Sequence, residues 1–175
     1  MDLRLVVVAL CVALAASACS GSDKKPSTLP PLTSTPTASA APSVPPFPPT
    51  KQGAAAFTRE FFRAENHATQ TGDVTRLRAL SEESCVSCNK LIDYFVRTWR
   101  NGSIRGEPSV VRDAATALIS ASSATVTVDF AAGAYDELDA SGKTTYHSDA
   151  RNYLYTFVLD RVGPGWRVRE LRRNS

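Results

Sequence analysis

Residues 153–168 read YLYTFVLDRVGPGWRV, and this stretch decides the fold. Tyr153 to Leu159 is apolar on both faces, which suits a central strand. Gly163-Pro164-Gly165 is a turn cluster, and it sends the chain into a final strand from Trp166 to Leu171. Upstream, Val126, Val128 and Phe130 alternate with Thr125, Thr127 and Asp129, the mark of a half-buried strand. A turn is expected near Ala140-Ser141-Gly142-Lys143, and a further strand over Pro108 to Ile119 through Val110 and Val111.

Before these strands the period changes. Phe57, Phe61, Ala64 and Ala68 fall on one helical stripe. Gly72 stops that helix, and Asp73 can cap a short second one through Leu77 and Leu80. Ser84 can cap a third, with Cys85, Cys88, Leu91, Ile92, Phe95 and Trp99 as its stripe and Asn101-Gly102 as its end. Helices followed by an antiparallel meander make an α+β domain. Phe57, Phe61, Phe95 and Trp99 should meet Val128, Phe130, Phe157 and Trp166 in one core.

This order resembles the nuclear-transport-factor-2-like, or cystatin-like, superfamily over about Ala54 to Arg172. The resemblance implies N-terminal helices packed on a curved antiparallel sheet, forming a cone. The closing Trp166-Arg167-Val168 after a glycine turn is typical of its last strand. A narrower resemblance rests on Gly72-Asp73, Leu77-x-x-Leu80-Ser81, Cys85-Val86-Ser87-Cys88 and Trp166-Arg167-Val168. These residues are similar to a family of actinobacterial lipoproteins of unknown function, which implies a location and a fold but no activity.

The N-terminal third is of another kind. Nine of the eleven prolines lie between Pro26 and Pro49. Residues 1–18 read as a signal peptide: Arg4 precedes the apolar run Leu5 to Ala16, which is too short to span a bilayer. Ala16-Ser17-Ala18-Cys19 resembles the lipobox of bacterial lipoproteins, with Ala16 where Leu is commoner. The resemblance implies a diacylglyceryl group on the Cys19 thiol and cleavage before it. Ordinary secretion with a cut near Ala18 is the alternative. Residues 19–52 then read as a lipidated cysteine followed by a disordered Pro/Ser/Thr-rich linker, and 53–175 as the α+β domain. The expected place is the outer face of the cytoplasmic membrane, with the domain extending into the cell wall.

The whole chain of 175 residues carries a formal charge of only +3. Bulk electrostatics therefore point to no nucleic acid as a partner. Among the cysteines, Cys85 and Cys88 are left for the domain. A C-x-x-C pair outside the cytoplasm is expected to be oxidised, either as a structural staple or as a redox dithiol. The pair shares a stripe with Ile92 and Phe95 and lacks a βαβ setting, which favours the staple. No cofactor is expected. A zinc site is not expected either, because His67 and His147 lie far from the cysteines in sequence. An enzyme of this superfamily would need a base inside the cone. Periodicity nominates no carboxylate there. His67, at the edge of the first stripe, is the candidate base, and Tyr153 and Tyr155 are candidate pocket residues. Each also has a plain packing reading. Arg167, Arg169, Arg172 and Arg173 could meet an anionic polymer or simply form a solvated strand face. The leading expectation is a non-catalytic domain, tethered to the membrane by its lipid, that binds an envelope protein or a small apolar ligand. A pocket enzyme using His67 and a tyrosine, and a redox protein using Cys85 and Cys88, are the alternatives.

Overall fold

The structure, a computed structural model, describes residues 47–174. The expected signal segment, Cys19 and the linker as far as residue 46 lie outside the described residues.

Three helices come first. Helix α1 (Lys51–Thr71) is capped by Thr50, whose hydroxyl accepts from the Gly53 amide at 3.0 Å. It ends at Gly72, which adopts φ +75° and returns its amide to the Ala68 carbonyl. An added Cβ at Gly72 would also lie 2.6 Å from the Trp99 ring, so the glycine serves both backbone and packing. Helix α2 (Thr75–Leu80) follows, with the Asp73 carboxylate accepting from the Thr75 amide at 2.9 Å. Helix α3 (Val86–Asn101) is capped by Cys85, not by Ser84 as expected. The Cys85 sulfur takes the Cys88 amide, while the Ser84 hydroxyl turns to Glu82.

Seven strands follow among the described residues: β1 (Gly102–Gly106), β2 (Val110–Ile119), β3 (Ser123–Ala132), β4 (Tyr135–Asp139), β5 (Thr144–Ser148), β6 (Arg151–Val162) and β7 (Gly165–Asn174). They form a four-stranded sheet in the order β2-β3-β6-β7 and a three-stranded sheet in the order β1-β4-β5. Every pairing between these strands is antiparallel, and a lone parallel bridge joins Ser81 to Val168. The simple meander expected from sequence is thus interrupted. The β4–β5 hairpin leaves the main sheet and pairs with β1, a strand the sequence reading did not foresee. Bulges interrupt the β2–β3 and β6–β7 registers, a device that bends strands.

The core sits between the helices and one face of the main sheet. Phe130 pairs with Tyr153, Val128 with Tyr155 and Val126 with Phe157, so these six side chains share that face. The Phe61 ring lies 5.4 Å from Phe157, and Phe62 stacks on Phe130 at 4.3 Å. Phe57, Phe95 and Trp166 are buried with them. Trp99 is only half-buried.

Among the described residues, packing onto the domain includes Phe47, six residues before the expected boundary at Gly53. The Phe47 ring meets Phe57 edge-on at 5.6 Å. Arg161 donates to the Phe47 carbonyl at 3.0 Å, and the Trp166 indole donates to the Pro48 carbonyl at 3.2 Å. A proline-rich composition does not prevent a strap of this kind, because the strap needs acceptors and one ring, not a period.

Candidate functional site

The strap is gripped where β6 ends and β7 begins. At the opposite ends of the same elements the layers part around a cavity of about 340 Å³. Its wall takes Glu65 and Thr69 from α1, Leu91, Tyr94 and Phe95 from α3, and Ile104 from β1. Phe130 and Ala132 of β3, Tyr135 of β4 and Tyr146 of β5 continue it. Tyr153 and Tyr155 of β6 continue the ring, which the exposed Glu107, Arg151 and Arg173 and the smaller Ser109, Gly133 and Ser148 complete. The chain has five tyrosines, and all five line this cavity.

The tyrosines arrive in pairs. Tyr153 and Tyr155 point to one face of β6 with ring centres 6.0 Å apart, because alternate strand residues share a face. Tyr135 and Tyr146 lie 6.1 Å apart across the β4–β5 hairpin. The Tyr94 hydroxyl donates to Glu137 at 2.8 Å. Burial first, then hydrogen bonding with Tyr135 and Glu137, pushes the Tyr94 hydroxyl well above the usual tyrosine range. Tyr155 is raised too, by burial and then by the Glu65 charge.

Glu65 is the carboxylate that periodicity was not expected to supply. It is half-buried and lines the cavity, and among the described residues no cation forms an ion pair with it. Burial alone pushes its carboxyl from an ordinary 4.5 up to about 7. Such a group changes charge near neutral pH, the range in which proton transfer is most useful.

The mouth is braced. The Asn66 side chain donates to the Ser109 carbonyl at 2.8 Å and accepts the Ser109 amide at 2.9 Å, tying α1 to the β1–β2 loop. The β3–β4 connection presses onto the same loop: a Cβ on Gly133 would lie 2.4 Å from the Glu107 carbonyl oxygen.

The sequence candidates distribute unevenly around this site. Tyr153 and Tyr155 line the cavity. His67 does not: it is exposed and faces Asp73 at 3.6 Å. The buried stripe of α1 includes Thr58 and Phe62 beside Phe57 and Phe61. That rotates its centre towards Glu65 and leaves His67 roughly 120° away at about 100° per residue. His147 is also on the surface, hydrogen-bonded to Asp136 at 2.7 Å. Among the described residues no cluster of three or more His, Cys, Asp or Glu could hold a metal ion. Cys85 and Cys88 are joined by a disulfide and are fully buried, away from the cavity lining. Two of the C-terminal arginines are engaged locally, Arg169 with Asp160 and Arg172 with Glu170.

An α+β cone with a lined hollow between its helices and sheets is a class of fold that accommodates many functions. Residues 47–172 match a family of unknown function, DUF6318, and the chain belongs to that family. Solved structures share the fold at low identity. The intermembrane-space region of the chloroplast protein ARC6 is 14% identical, with a TM-score of 0.54 over 72% of this chain and 97% of that one. A candidate Ca/calmodulin-dependent kinase II association domain from Exiguobacterium sibiricum 255-15 is 8% identical, with a TM-score of 0.50 over 72% of this chain and 94% of that one. A nuclear transport factor 2-like superfamily protein from Salmonella enterica is 12% identical, with a TM-score of 0.48 over 71% of this chain and 89% of that one. No curated protein matches the chain.

Proposed function

We propose that this is a lipoprotein of the bacterial envelope, anchored through Cys19, whose folded unit is a non-catalytic binding domain for a small ligand with an apolar body. The observation that carries the reading is the cavity of about 340 Å³ with all five tyrosines in its wall. That volume suits a small molecule. Tyrosine offers wide apolar area with a polar tip at little entropic cost. The strap adds support. Arg161 grips it, while Tyr153 lines the cavity about 26 Å back along the same strand. A tether entering at Phe47 would leave the cavity end free for ligand.

Two experiments test the two halves of the reading. Fractionation of cells carrying Cys19→Ala should move the protein out of the membrane fraction; unchanged membrane association would refute the anchor. Titration of the full chain with a set of small aromatic and amphiphilic fragments should give saturable binding that Thr69→Phe blocks by filling the cavity. Absence of binding, or binding indifferent to Thr69→Phe, would refute the pocket.

Glu65 supports a second reading, a pocket enzyme in which this carboxylate, rather than His67, is the general base beside Tyr155. It predicts a bound fragment that turns over and a Glu65→Gln variant that binds but does not convert it. The redox alternative has less support, since both sulfurs are buried.

A further inference from the structure

The tyrosine cavity specifies more than an apolar guest. Inside the cavity an anionic ligand group would meet Glu65 and be repelled, since Arg151, Arg173 and a second carboxylate, Glu107, are exposed at its rim. A neutral apolar guest would keep Glu65 protonated or, above its value of about 7, leave it ionised without a counter-charge, at a cost in solvation. A cation answers both. Faces of aromatic rings attract ammonium groups electrostatically, and a ring of them with one acid is a site for organic cations. The molecule already shows such a contact at the rim, where the Arg173 guanidinium lies 5.5 Å from the centre of the Tyr153 ring. Arg173 and Arg151 are exposed and solvated, and neither pairs with Glu65. From the cavity, its paired tyrosines and this unpaired carboxylate we infer that the ligand is an organic ammonium ion, with its cationic head between Glu65 and the Tyr153/Tyr155 pair and its body towards Tyr135 and Tyr146. The inference rests on the binding reading above and names the chemistry of the guest.

The test uses choline and benzyltrimethylammonium as probes. Their comparator is the neutral carbon isostere of choline, in which a tert-butyl group replaces the trimethylammonium. Binding to the full chain carrying Cys19→Ala is measured by calorimetry at about pH 8.5, above the Glu65 value of about 7. Both cations should bind at least about tenfold more tightly than the neutral alcohol, the scale set by one aromatic cation contact plus a charge. Glu65→Gln should lower that preference several-fold, leaving only the part that the aromatic contact supplies. Tyr155→Phe should keep it, and Tyr155→Leu should weaken it. Equal affinity for choline and its isostere, or a preference undiminished in Glu65→Gln, would overturn the inference. If neither cation binds but the fragment titration still finds a guest that Thr69→Phe excludes, the ammonium inference fails and the pocket stands. If nothing enters, both fail.

Discussion

The two ends of α1 are built from the same stripe and come out differently. Phe57, Phe61, Glu65 and Thr69 follow each other at i, i+4, i+8 and i+12, so all four face the sheets. Over the first two the space is filled: Phe47 lies against Phe57, and Phe157 against Phe61. Over the last two it is hollow, and tyrosines stand around it. A change from Phe to Glu and Thr within one stripe therefore marks where packing stops and a cavity begins. The lesson is general: a polar residue in phase with a core stripe is placed inside, and its cost must be met by a function or offset by neighbouring stability.

That contrast can be broken in graded steps. At the filled end, Phe61→Ala should cost about 3–5 kcal/mol in denaturant unfolding. Tyr153→Ala at the hollow end should cost far less, since part of its ring already faces the cavity. Equal losses would mean the two ends are packed alike. Replacing Cys85 and Cys88 together by Ala should cost about 2 kcal/mol, the entropy of a very short closed loop, and leave ligand titrations unchanged. A change in ligand affinity would tie the disulfide to the cavity. Glu65→Gln should stabilise by about 1–2 kcal/mol at pH 8 and by nothing at pH 4. The sign follows from proton uptake. The folded chain holds the Glu65 proton to about 7 and the unfolded one only to about 4.5, so stability falls as pH rises through that window and stays lower above it. Phe47→Ala should cost about 1 kcal/mol through a half-buried ring, a drop in melting temperature small but measurable. No drop at all would mean that the strap is not part of the fold.

Much of this architecture was legible in the sequence, for physical reasons that also explain the gaps. β6 and β7 announced themselves because Phe157, Leu159, Trp166 and Val168 are all buried and strictly phased. The helix layer was equally clear from Phe57, Phe61, Ile92 and Phe95. β1 and β5 were not. β1 buries only Ile104, and most of β5 is exposed, so neither carries an alternating pattern strong enough to separate strand from loop. They are held by the pairing of β4 with both, a long-range fact. Tyr153 and Tyr155 could be nominated from their shared strand face. Glu65 could have been found by continuing Phe57 and Phe61 by one more step of four. Fixing the stripe on Ala64 and Ala68, without Thr58 and Phe62, turned the helix towards His67 instead. Phe47 carried no signal beyond being an aromatic in a proline-rich stretch.

The hollow end stands or falls on the state of one carboxyl. Its titration can be followed directly by carbon NMR of the Glu65 side-chain carboxyl in the full chain, with Glu65→Gln to assign the signal. A carboxyl walled in by tyrosines and lacking a cation should titrate with a midpoint near the value of about 7 set by burial. A midpoint near the ordinary 4.5 would mean a solvated or paired side chain, and would contradict the cavity as described.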